Sequence, residues 1–287
     1  MASLSQALSR VLERAVSRVE QARGLDRIGE PARKVTDVLG PGPVKDLLSG
    51  TALGHPAHPL LVTVPIGAFA SAIALDATAG NAKASRQLIG LGLLASLPAA
   101  VSGLSDWADT EGAERRVGVA HALSNSAALA LLSGSWLSRR VGGSGGTLAL
   151  AGFALLGAGG WLGGHLAYAL GVGVDTTVFD QAPPEWTDVC AQDDLQPGTP
   201  LGVRLADVSV LVVRDQGTIS ALVDRCTHRG APLHEGTVVD GCIQCPWHAS
   251  RFQLSDGSVA QGPATRPQPA LHIRVVEGRV QVRRPEG

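Results

Sequence analysis

The segment CTHRGAPLHEGTVVDGCIQCPWHASRF, residues 226–252, determines the fold of the C-terminal part of the chain. Short β-rich runs and turn dipeptides surround it, a pattern typical of a small all-β domain. We predict strands at Leu201–Leu205, Val208–Arg214, Thr218–Val223, Ser250–Leu254 and His272–Val276. We predict turns at Gln216-Gly217, Asp240-Gly241, Asp256-Gly257 and Glu277-Gly278. The expected boundaries are residues 184–287 for this domain and 175–183 for a linker before it.

Two Cys-and-His pairs stand within this segment, Cys226 with His228 and Cys245 with His248, in the spacing C-x-H-x16-C-x2-H. Two thiolates and two imidazoles suit either a tetrahedral zinc ion or a [2Fe-2S] centre in which one iron has two Cys ligands and the other two His ligands. Zinc sites more usually have C-x2-C and H-x3-5-H spacings. Here each loop contributes one ligand of each kind, which favours the iron–sulfur centre.

The motifs CTHRGAPL and CPWHASRF, followed by Gly262-Pro263, resemble a Rieske [2Fe-2S] domain over residues 184–286. This resemblance implies that Cys226 and Cys245 bind the inner iron, and that His228 and His248 bind the outer, more exposed one. The two remaining cysteines are not ligands in that pattern, and we expect them to be packed thiols. They are Cys190 and Cys242.

Three positions depart from the high-potential branch of Rieske proteins, and a fourth departs from the family as a whole. Ala231 and Trp247 stand where that branch has two bridging cysteines, and Phe252 stands where it has a hydrogen-bonding Tyr. Fewer hydrogen bonds leave the reduced cluster less stabilised, so we expect a potential toward the low end of the range of roughly −150 to +300 mV. Without those two cysteines the cluster loops cannot be joined by a disulfide, which fits a protein in a reducing compartment. Ala249 replaces the usual Gly after the second His, a conservative change.

Residues 47–174 contain four runs without Asp, Glu, Lys or Arg. These are Leu47–Leu75, Gln87–Ser105, Val117–Ser138 and Val141–Val174. Each is close to or longer than the roughly 20 residues of a membrane-crossing helix. A soluble Ala-rich bundle is the alternative, but the fourth run has no polar stripe at helical spacing. We therefore predict a four-span transmembrane bundle followed by an all-β Rieske-type domain. Gly159 and Gly163 form a small-xxx-small pattern typical of helix contacts in lipid.

Residues 1–46 form a separate N-terminal segment with eight basic and six acidic side chains. Its apolar residues recur at helical spacing, which predicts an amphipathic helix lying on a membrane or a partner; packing on its own protein is the alternative. The basic excess predicts a cytoplasmic N-terminus under the positive-inside rule. Four crossings then return the Rieske domain to the cytoplasmic side of the inner (plasma) membrane.

This topology places several ionisable side chains at one membrane face. The candidate membrane site consists of His55, His58, His121, His165 and Asp106. Such groups at membrane depth are costly and indicate function by default, so we consider haem b, a non-haem metal or a quinone as ligands. The alternative is that the histidines cap helix carbonyls. The Gly-His-Pro-x-His-Pro box, residues 54–59, resembles an uncharacterised family of bacterial membrane domains over residues 50–172, which implies no activity.

The overall composition excludes several classes of protein. A formal net charge of −1, from 24 basic and 25 acidic residues, gives no electrostatic support for a nucleic-acid partner. Four Cys in 287 residues are too few for a disulfide scaffold. The N-terminus lacks the features of a secretory signal peptide.

The leading hypothesis is a membrane-bound Rieske protein that carries single electrons between a membrane redox partner, quinone or haem, and a cytoplasmic partner. It would be an electron-transfer component of an oxidoreductase system, since a Rieske cluster does no bond chemistry alone. The alternatives are the membrane-anchored ferredoxin component of an oxygenase system, a redox sensor and a purely structural anchor. An oxygenase itself is not expected, because only 39 residues follow His248 and no second iron site can be built from them.

Overall fold

A computed structural model describes residues 4–36, 40–78 and 81–285. The chain forms two compact units: Met1–Val38 with Ala57–Val172, and Leu39–Pro56 with Gly173–Gly287. In this division the N-terminal helices belong with the helical bundle, while Leu39–Pro56 and the residues of the expected linker belong with the C-terminal unit.

The first unit is helical, as predicted. Its helices are α1 (Leu4–Gln21), α2 (Asp26–Thr36), α4 (Ala57–Leu61), α5 (Thr63–Thr78), α6 (Ala82–Ala108), α7 (Gly112–Arg140) and α8 (Gly146–Tyr168), while α3 (Pro43–Ser49) lies in the second unit. Among the described residues, four segments are long and apolar enough to cross a membrane: Ala57–Thr78, Ala82–Ala108, Gly112–Arg140 and Gly146–Tyr168. The predicted four-span bundle is confirmed by these helices.

Glycine and proline set the limits of the first span. Gly50 and Gly54 adopt left-handed backbone angles, φ +85° and +70°, which end α3 and the turn that follows it. The span therefore begins at Ala57 rather than at the start of the charge-free run. Pro65 has no N–H to donate to the carbonyl of Leu61, and the helix is interrupted at Val62 between α4 and α5.

In the core of the bundle, large side chains pack against glycines of neighbouring helices. Phe69, Ala72, Ile89, Leu132 and Ala149 form its buried cluster. A Cβ on Gly92 would lie 2.4 Å from the Phe69 ring, and one on Gly152 would lie 2.9 Å from Leu132 Cγ. Close packing at small residues is typical of helices in lipid, where apolar burial gives no driving force.

The N-terminal helices pack against the bundle. Val16 of α1 is buried, and charged residues of this region bind side chains of α7 and α8. Glu20 is hydrogen-bonded to His165 at 2.9 Å, and the ion pairs are Asp26 with Arg116 at 2.8 Å and Glu30 with Arg115 at 2.6 Å. These contacts favour the alternative in which the amphipathic helix packs on its own protein.

The β domain consists of three antiparallel sheets. Its strands are β1 (Thr187–Ala191), β2 (Leu201–Leu205), β3 (Val208–Asp215), β4 (Thr218–Val223), β5 (Thr237–Val239), β6 (Cys242–Gln244), β7 (Arg251–Gln253), β8 (Val259–Gln261), β9 (His272–Val276) and β10 (Arg279–Arg283). The sheet orders are β1-β10-β9, β2-β3-β4 and β5-β6-β7-β8. The turns at 216–217, 240–241 and 277–278 have positive φ at both residues, as type I′ hairpins require.

Two apolar cores stabilise this domain. One lies between β3, β4, β9 and β10, and the other lies beside the β5–β8 sheet. The second core includes Cys226 and Cys245 together with Leu211, Ile243 and Phe252, all of them 3% exposed or less. The two predicted ligand cysteines therefore stand at the edge of a packed interior.

Candidate metal centre

The two Cys-His loops are built alike. The first follows β4 and the second connects β6 to β7. In each loop the cysteine N–H donates to the carbonyl of the residue five positions later. These hydrogen bonds join Cys226 to Ala231 at 2.9 Å and Cys245 to Ser250 at 2.8 Å. The residue four positions after each cysteine donates its own N–H to the cysteine carbonyl. Gly230 does so to Cys226 at 2.8 Å, and Ala249 does so to Cys245 at 3.2 Å. Both of these residues have positive φ, +78° and +58°.

The sulfur atoms of Cys226 and Cys245 are hydrogen-bonded to each other and receive further hydrogen bonds from backbone N–H groups. A hydrogen bond between the thiols lowers the pKa of Cys245 to about 7 and raises that of Cys226 well above its usual value. Backbone N–H groups of His228 and Arg229 point at the first sulfur, and those of Trp247 and His248 at the second. Such donors stabilise thiolates, which are the metal-binding form of cysteine.

The two imidazoles face each other at the outer side of the sulfur pair. The ring centroids of His228 and His248 are 5.0 Å apart and the planes are nearly perpendicular, at 87°. Burial, followed by the neighbouring His248 ring, lowers the pKa of His228 well below its usual value. The imidazole is therefore held neutral, which is the form that binds a metal. Both histidines are half-buried, whereas both cysteines are buried.

This donor set fits a Rieske cluster. Two buried thiols and two more exposed imidazoles stand in adjacent pairs, as a centre with sulfur ligands on one iron and nitrogen ligands on the other requires. The residue types are those that the resemblance implies, and the two thiols are more buried than the two imidazoles. Assignment of the four side chains as ligands is a prediction that spectroscopy of their variants can test.

Three polar residues that the sequence did not single out support the first loop. Gln268 is buried and donates to the carbonyls of Val223 and Arg225, while its carbonyl accepts the Thr227 N–H. Thr176 donates through its hydroxyl to the Cys226 carbonyl at 2.7 Å. Asp224, which is 2% exposed, binds the N–H and the ring of His234. These contacts join distant parts of the chain, so no local spacing indicated them.

The remaining cysteines are buried thiols. Cys190 is 7% exposed on β1 and Cys242 is 4% exposed on β6. Burial raises the pKa of both groups. Inert packed thiols are the expected result of such an environment.

In the helical unit, the structure brings two of the predicted membrane residues together. The rings of His58 and His121 lie 6.3 Å apart at 76°. His58 Nδ1–H donates to the Ala99 carbonyl at 2.8 Å, and His121 Nδ1–H donates to the Gly159 carbonyl at 2.8 Å. Each histidine therefore ties its own helix to another one.

Asn125 completes this histidine pair. Its Nδ2 donates to His121 Nε2 at 3.1 Å, one helical turn along α7. A Cβ on Gly159 would lie 2.4 Å from Asn125 Oδ1, and one on Gly163 would lie 3.1 Å from the His121 ring. The small-xxx-small pattern of α8 thus makes room for polar side chains of α7.

The other predicted membrane residues lie apart from this pair. His165 binds Glu20 and stacks on Trp161 at 5.9 Å, and Asp106 is half-buried in the last turn of α6. His55 is an exposed residue of the other unit. Within residues 4–36, 40–78 and 81–285, no group of three or more His, Cys, Asp or Glu side chains converges as a single metal ion requires. A ligand at the membrane histidines stays a prediction.

Known families match both parts of the chain. Residues 185–277 match the Rieske [2Fe-2S] domain, and residues 54–176 match a family described as Predicted membrane protein (DUF2231). These matches confirm the predicted pairing of a membrane domain with an iron–sulfur domain.

Three proteins illustrate how far the similarity extends. Ferredoxin CarAc of Metapseudomonas resinovorans is 39% identical over 98 residues, which cover 34% of this chain and 92% of the ferredoxin. Human (Homo sapiens) Apoptosis-inducing factor 3 is 35% identical over 95 residues, but these cover only 16% of that protein. The solved ferredoxin of carbazole 1,9a-dioxygenase from Nocardioides aromaticivorans IC177 is 28% identical, with 35% of this chain and 98% of that one covered and a TM-score of 0.34.

Proposed function

Because the chain belongs to the Rieske [2Fe-2S] proteins through its C-terminal domain and carries four membrane-type helices, we propose that it is a membrane-bound carrier of single electrons. The single observation that carries this proposal is the paired placement of two buried thiols and two half-buried imidazoles. When bound, a Rieske cluster accepts or releases one electron without making or breaking bonds in a substrate.

We assign the inner iron to Cys226 and Cys245 and the outer iron to His228 and His248. The four backbone N–H groups around the sulfurs hold the thiolates in place and stabilise negative charge there. The imidazoles lie nearer to solvent and would be the point of electron entry and exit. Trp247, which is 57% exposed beside the second pair of ligands, offers a flat apolar contact for a redox partner.

The first experiment is spectroscopy of the full chain purified in detergent. We expect dithionite reduction to produce the rhombic low-g paramagnetic signal of a Rieske centre in the wild-type protein. Cys245→Ser should abolish the signal, whereas Cys242→Ser, which removes another buried thiol three residues away, should retain it. A signal that survives Cys245→Ser, or purified protein that carries zinc and no acid-labile sulfide, refutes the assignment.

For the membrane redox partner, the geometry of His58 and His121 favours a quinone over haem. Haem ligation by His121 would require Nε2 to leave its hydrogen bond from Asn125. His58 donates through Nδ1, so its Nε2 carries a lone pair that can accept a hydrogen bond from a quinol hydroxyl. One quinol, on losing two electrons and two protons, would supply electrons for two cluster reductions.

A cytoplasmic partner follows from the proposed orientation. The basic excess of residues 1–46 supports a cytoplasmic N-terminus in the inner (plasma) membrane, and four crossings would return the Rieske domain to that side. Protease added to inside-out vesicles should cleave the Rieske domain, whereas protease added to right-side-out vesicles should leave it intact. The reverse pattern overturns this orientation.

The ferredoxin component of an oxygenase system is the second candidate. The observation that favours it is the 39% identity to a ferredoxin that the matched residues cover almost entirely. Quinol-dependent reduction of the cluster in isolated membranes supports the first function. Reduction by a nicotinamide-dependent flavoprotein reductase, with no response to quinol, supports the ferredoxin function.

A further inference from the structure

Helix α3 of the cluster-bearing unit buries its polar side and exposes its apolar side. Lys45 and Ser49, one helical turn apart, are 4% and 2% exposed. Val44 and Leu47, on the other side of the helix, are 61% and 75% exposed. A helix on the surface of a protein in water normally shows the opposite arrangement. This reversed polarity is typical of a helix whose outer side faces an apolar medium.

Residues 173–180, which follow the last span, have the same reversed polarity. Thr177 is buried, and its hydroxyl donates to Asp175 Oδ1 at 2.7 Å. The next two side chains, Val178 and Phe179, are 60% and 90% exposed. Single exposed apolar side chains are common on soluble proteins, but several in one region mark an interaction surface.

The two segments are neighbours within the same unit. A Cβ on Gly173 would lie 3.4 Å from Pro56 Cγ, so the chain after α3 passes beside the start of the second segment. Leu53, between α3 and Pro56, is also exposed. We call the exposed apolar side chains of the two segments the juxtamembrane apolar residues: Val44, Leu47, Leu53, Val178 and Phe179.

The second segment is bonded to the first cluster loop. The Thr176 N–H donates to the Thr227 carbonyl at 3.2 Å, and the Thr176 hydroxyl donates to the Cys226 carbonyl at 2.7 Å. Asp180 lies 3.7 Å from the guanidinium of Arg225, the residue before Cys226. A surface that holds this segment therefore also holds the first cluster loop.

Helix α3 is joined to the second cluster loop through the loop that contains Gly262. Asp46 Oδ1 accepts the Gly262 N–H at 2.9 Å. Two residues later, the Ala264 N–H donates to Ser250 Oγ at 3.0 Å. Each of the two segments is thus bonded to a cluster loop, directly or through one intervening loop.

In the sequence, both segments adjoin the membrane spans. Leu53 lies four positions before Ala57, where the first span begins, and Val178 lies ten positions after Tyr168, where the fourth ends. The chain itself therefore tethers the juxtamembrane apolar residues to the bilayer surface. Lipid is the apolar medium that this tether supplies to them.

We propose that the juxtamembrane apolar residues insert into the interface of the phospholipid bilayer and hold the cluster-bearing unit on the membrane surface. The inference rests on the proposed membrane-bound function and adds an attachment besides the four spans. Apolar side chains buried at the boundary between head groups and acyl chains stabilise such an attachment. It keeps both cluster loops beside the membrane, where the proposed quinone diffuses.

The test measures whether these positions lie in lipid or in water. Full-length Val178→Cys is labelled with a bimane fluorophore and reconstituted into phosphatidylcholine vesicles, with iodide on both sides of the membrane. We expect nitroxide-labelled lipid to quench the fluorophore, and iodide to quench it several-fold less than at the control position. The control is Val276→Cys, an exposed valine of β9 in the same domain. Wild-type protein gives the background labelling, since its cysteines are buried.

Leu47→Glu, combined with the label at position 178, tests whether the two segments act as one surface. A carboxylate is costly in the apolar part of the bilayer, so this variant should raise iodide quenching at position 178. Val275→Glu, which adds the same charge at another exposed position of the domain, should leave the label protected. An unchanged label in Leu47→Glu overturns the shared surface.

Equal iodide quenching at positions 178 and 276 overturns the membrane attachment. Protection from iodide without quenching by the labelled lipid overturns it as well, because a protein, either a second copy or a redox partner, then covers the residues. A lipid-quenched label in wild-type background without any Rieske signal would refute the proposed electron transfer alone. A normal Rieske signal with a water-exposed label at position 178 would refute only the attachment.

Discussion

The molecule contains two pairs of facing histidines, and their surroundings differ in kind. His228 and His248 stand 5.0 Å apart beside two thiols whose sulfurs receive backbone N–H groups. His58 and His121 stand 6.3 Å apart, and each donates a ring N–H to the main chain of another helix. The first pair has the surroundings expected of metal ligands, while each ring of the second pair also joins two helices.

The difference shows what turns a histidine cluster into a metal site. Histidines at membrane depth require hydrogen-bond partners whatever their function, and the backbone carbonyls of Ala99 and Gly159 provide them here. A metal site also needs several donor atoms that point toward the same position. Variants that remove one member of each pair therefore separate the two roles.

The largest expected effect is on the cluster. His228→Ala should abolish the rhombic signal completely, because an iron of the centre loses one of its two nitrogen ligands. His121→Ala should retain the signal. Paramagnetic spectra of dithionite-reduced protein in detergent measure both results.

His272→Ala is the matched control for this pair of variants. His272 is an exposed histidine of the same domain and should be dispensable for the signal. A wild-type Soret band that disappears in His121→Ala would contradict the packing role and assign haem to the helical unit.

The next largest effect is on packing in the helical unit. Gly159→Ala places a methyl group where Asn125 lies, so the bundle must shift or the hydrogen bond from Asn125 to His121 must break. We expect a loss of about 2 kcal/mol in the free energy of unfolding. Detergent-titrated unfolding followed by helical circular dichroism measures it.

Gly157→Ala is the control on the same helix, since a Cβ there meets nothing within 4 Å. This variant should keep the wild-type stability. If both substitutions lower the free energy of unfolding equally, then α8 requires glycine for its own conformation and not for the space that Asn125 occupies.

Local patterns predicted much of the fold and indicated the residues of the candidate metal centre. The charge-free runs predicted four spans because lipid imposes composition on each helix separately. The four predicted ligands lie in two loops of the same backbone construction, and the C-x-H and C-x2-H spacings within those loops indicated them. Hairpins with Gln216-Gly217 and Glu277-Gly278 were predictable because only a few residues tolerate positive φ.

Features that depend on distant contacts were not predictable. The three-residue strands β5 and β6 are too short to show alternation, and they exist because β7 and β8 pair beside them. The transfer of residues 39–56 to the β domain depends on Asp46 and Gly262, which are 216 positions apart. Gln268 likewise acts on a loop about 40 residues away. No periodicity encodes such pairs.

A smaller effect tests the coupling within the membrane histidine pair. Asn125→Ala removes the donor to His121 Nε2 and should cost about 1 kcal/mol of unfolding free energy. In a double-mutant cycle with His121→Ala, most of this loss should disappear, because both variants remove the same hydrogen bond. Additive losses would mean that the two side chains stabilise the bundle independently.

The smallest effect concerns one position at which the two cluster loops share a backbone conformation but differ in residue type. Gly230 and Ala249 occupy equivalent positions with positive φ, but only the alanine carries a Cβ, which costs roughly 1–2 kcal/mol in that conformation. Ala249→Gly removes this cost and adds freedom to the unfolded chain, so we expect a net stabilisation of about 0.5 kcal/mol.

Gly230→Ala should destabilise the domain, since it introduces the same strain into the first loop. Thermal unfolding of the two variants with the cluster bound measures both effects. If Ala249→Gly instead destabilises the domain, then the Cβ of Ala249 makes packing contacts worth more than the backbone strain, and the two loops are alike in hydrogen bonding but not in energetics.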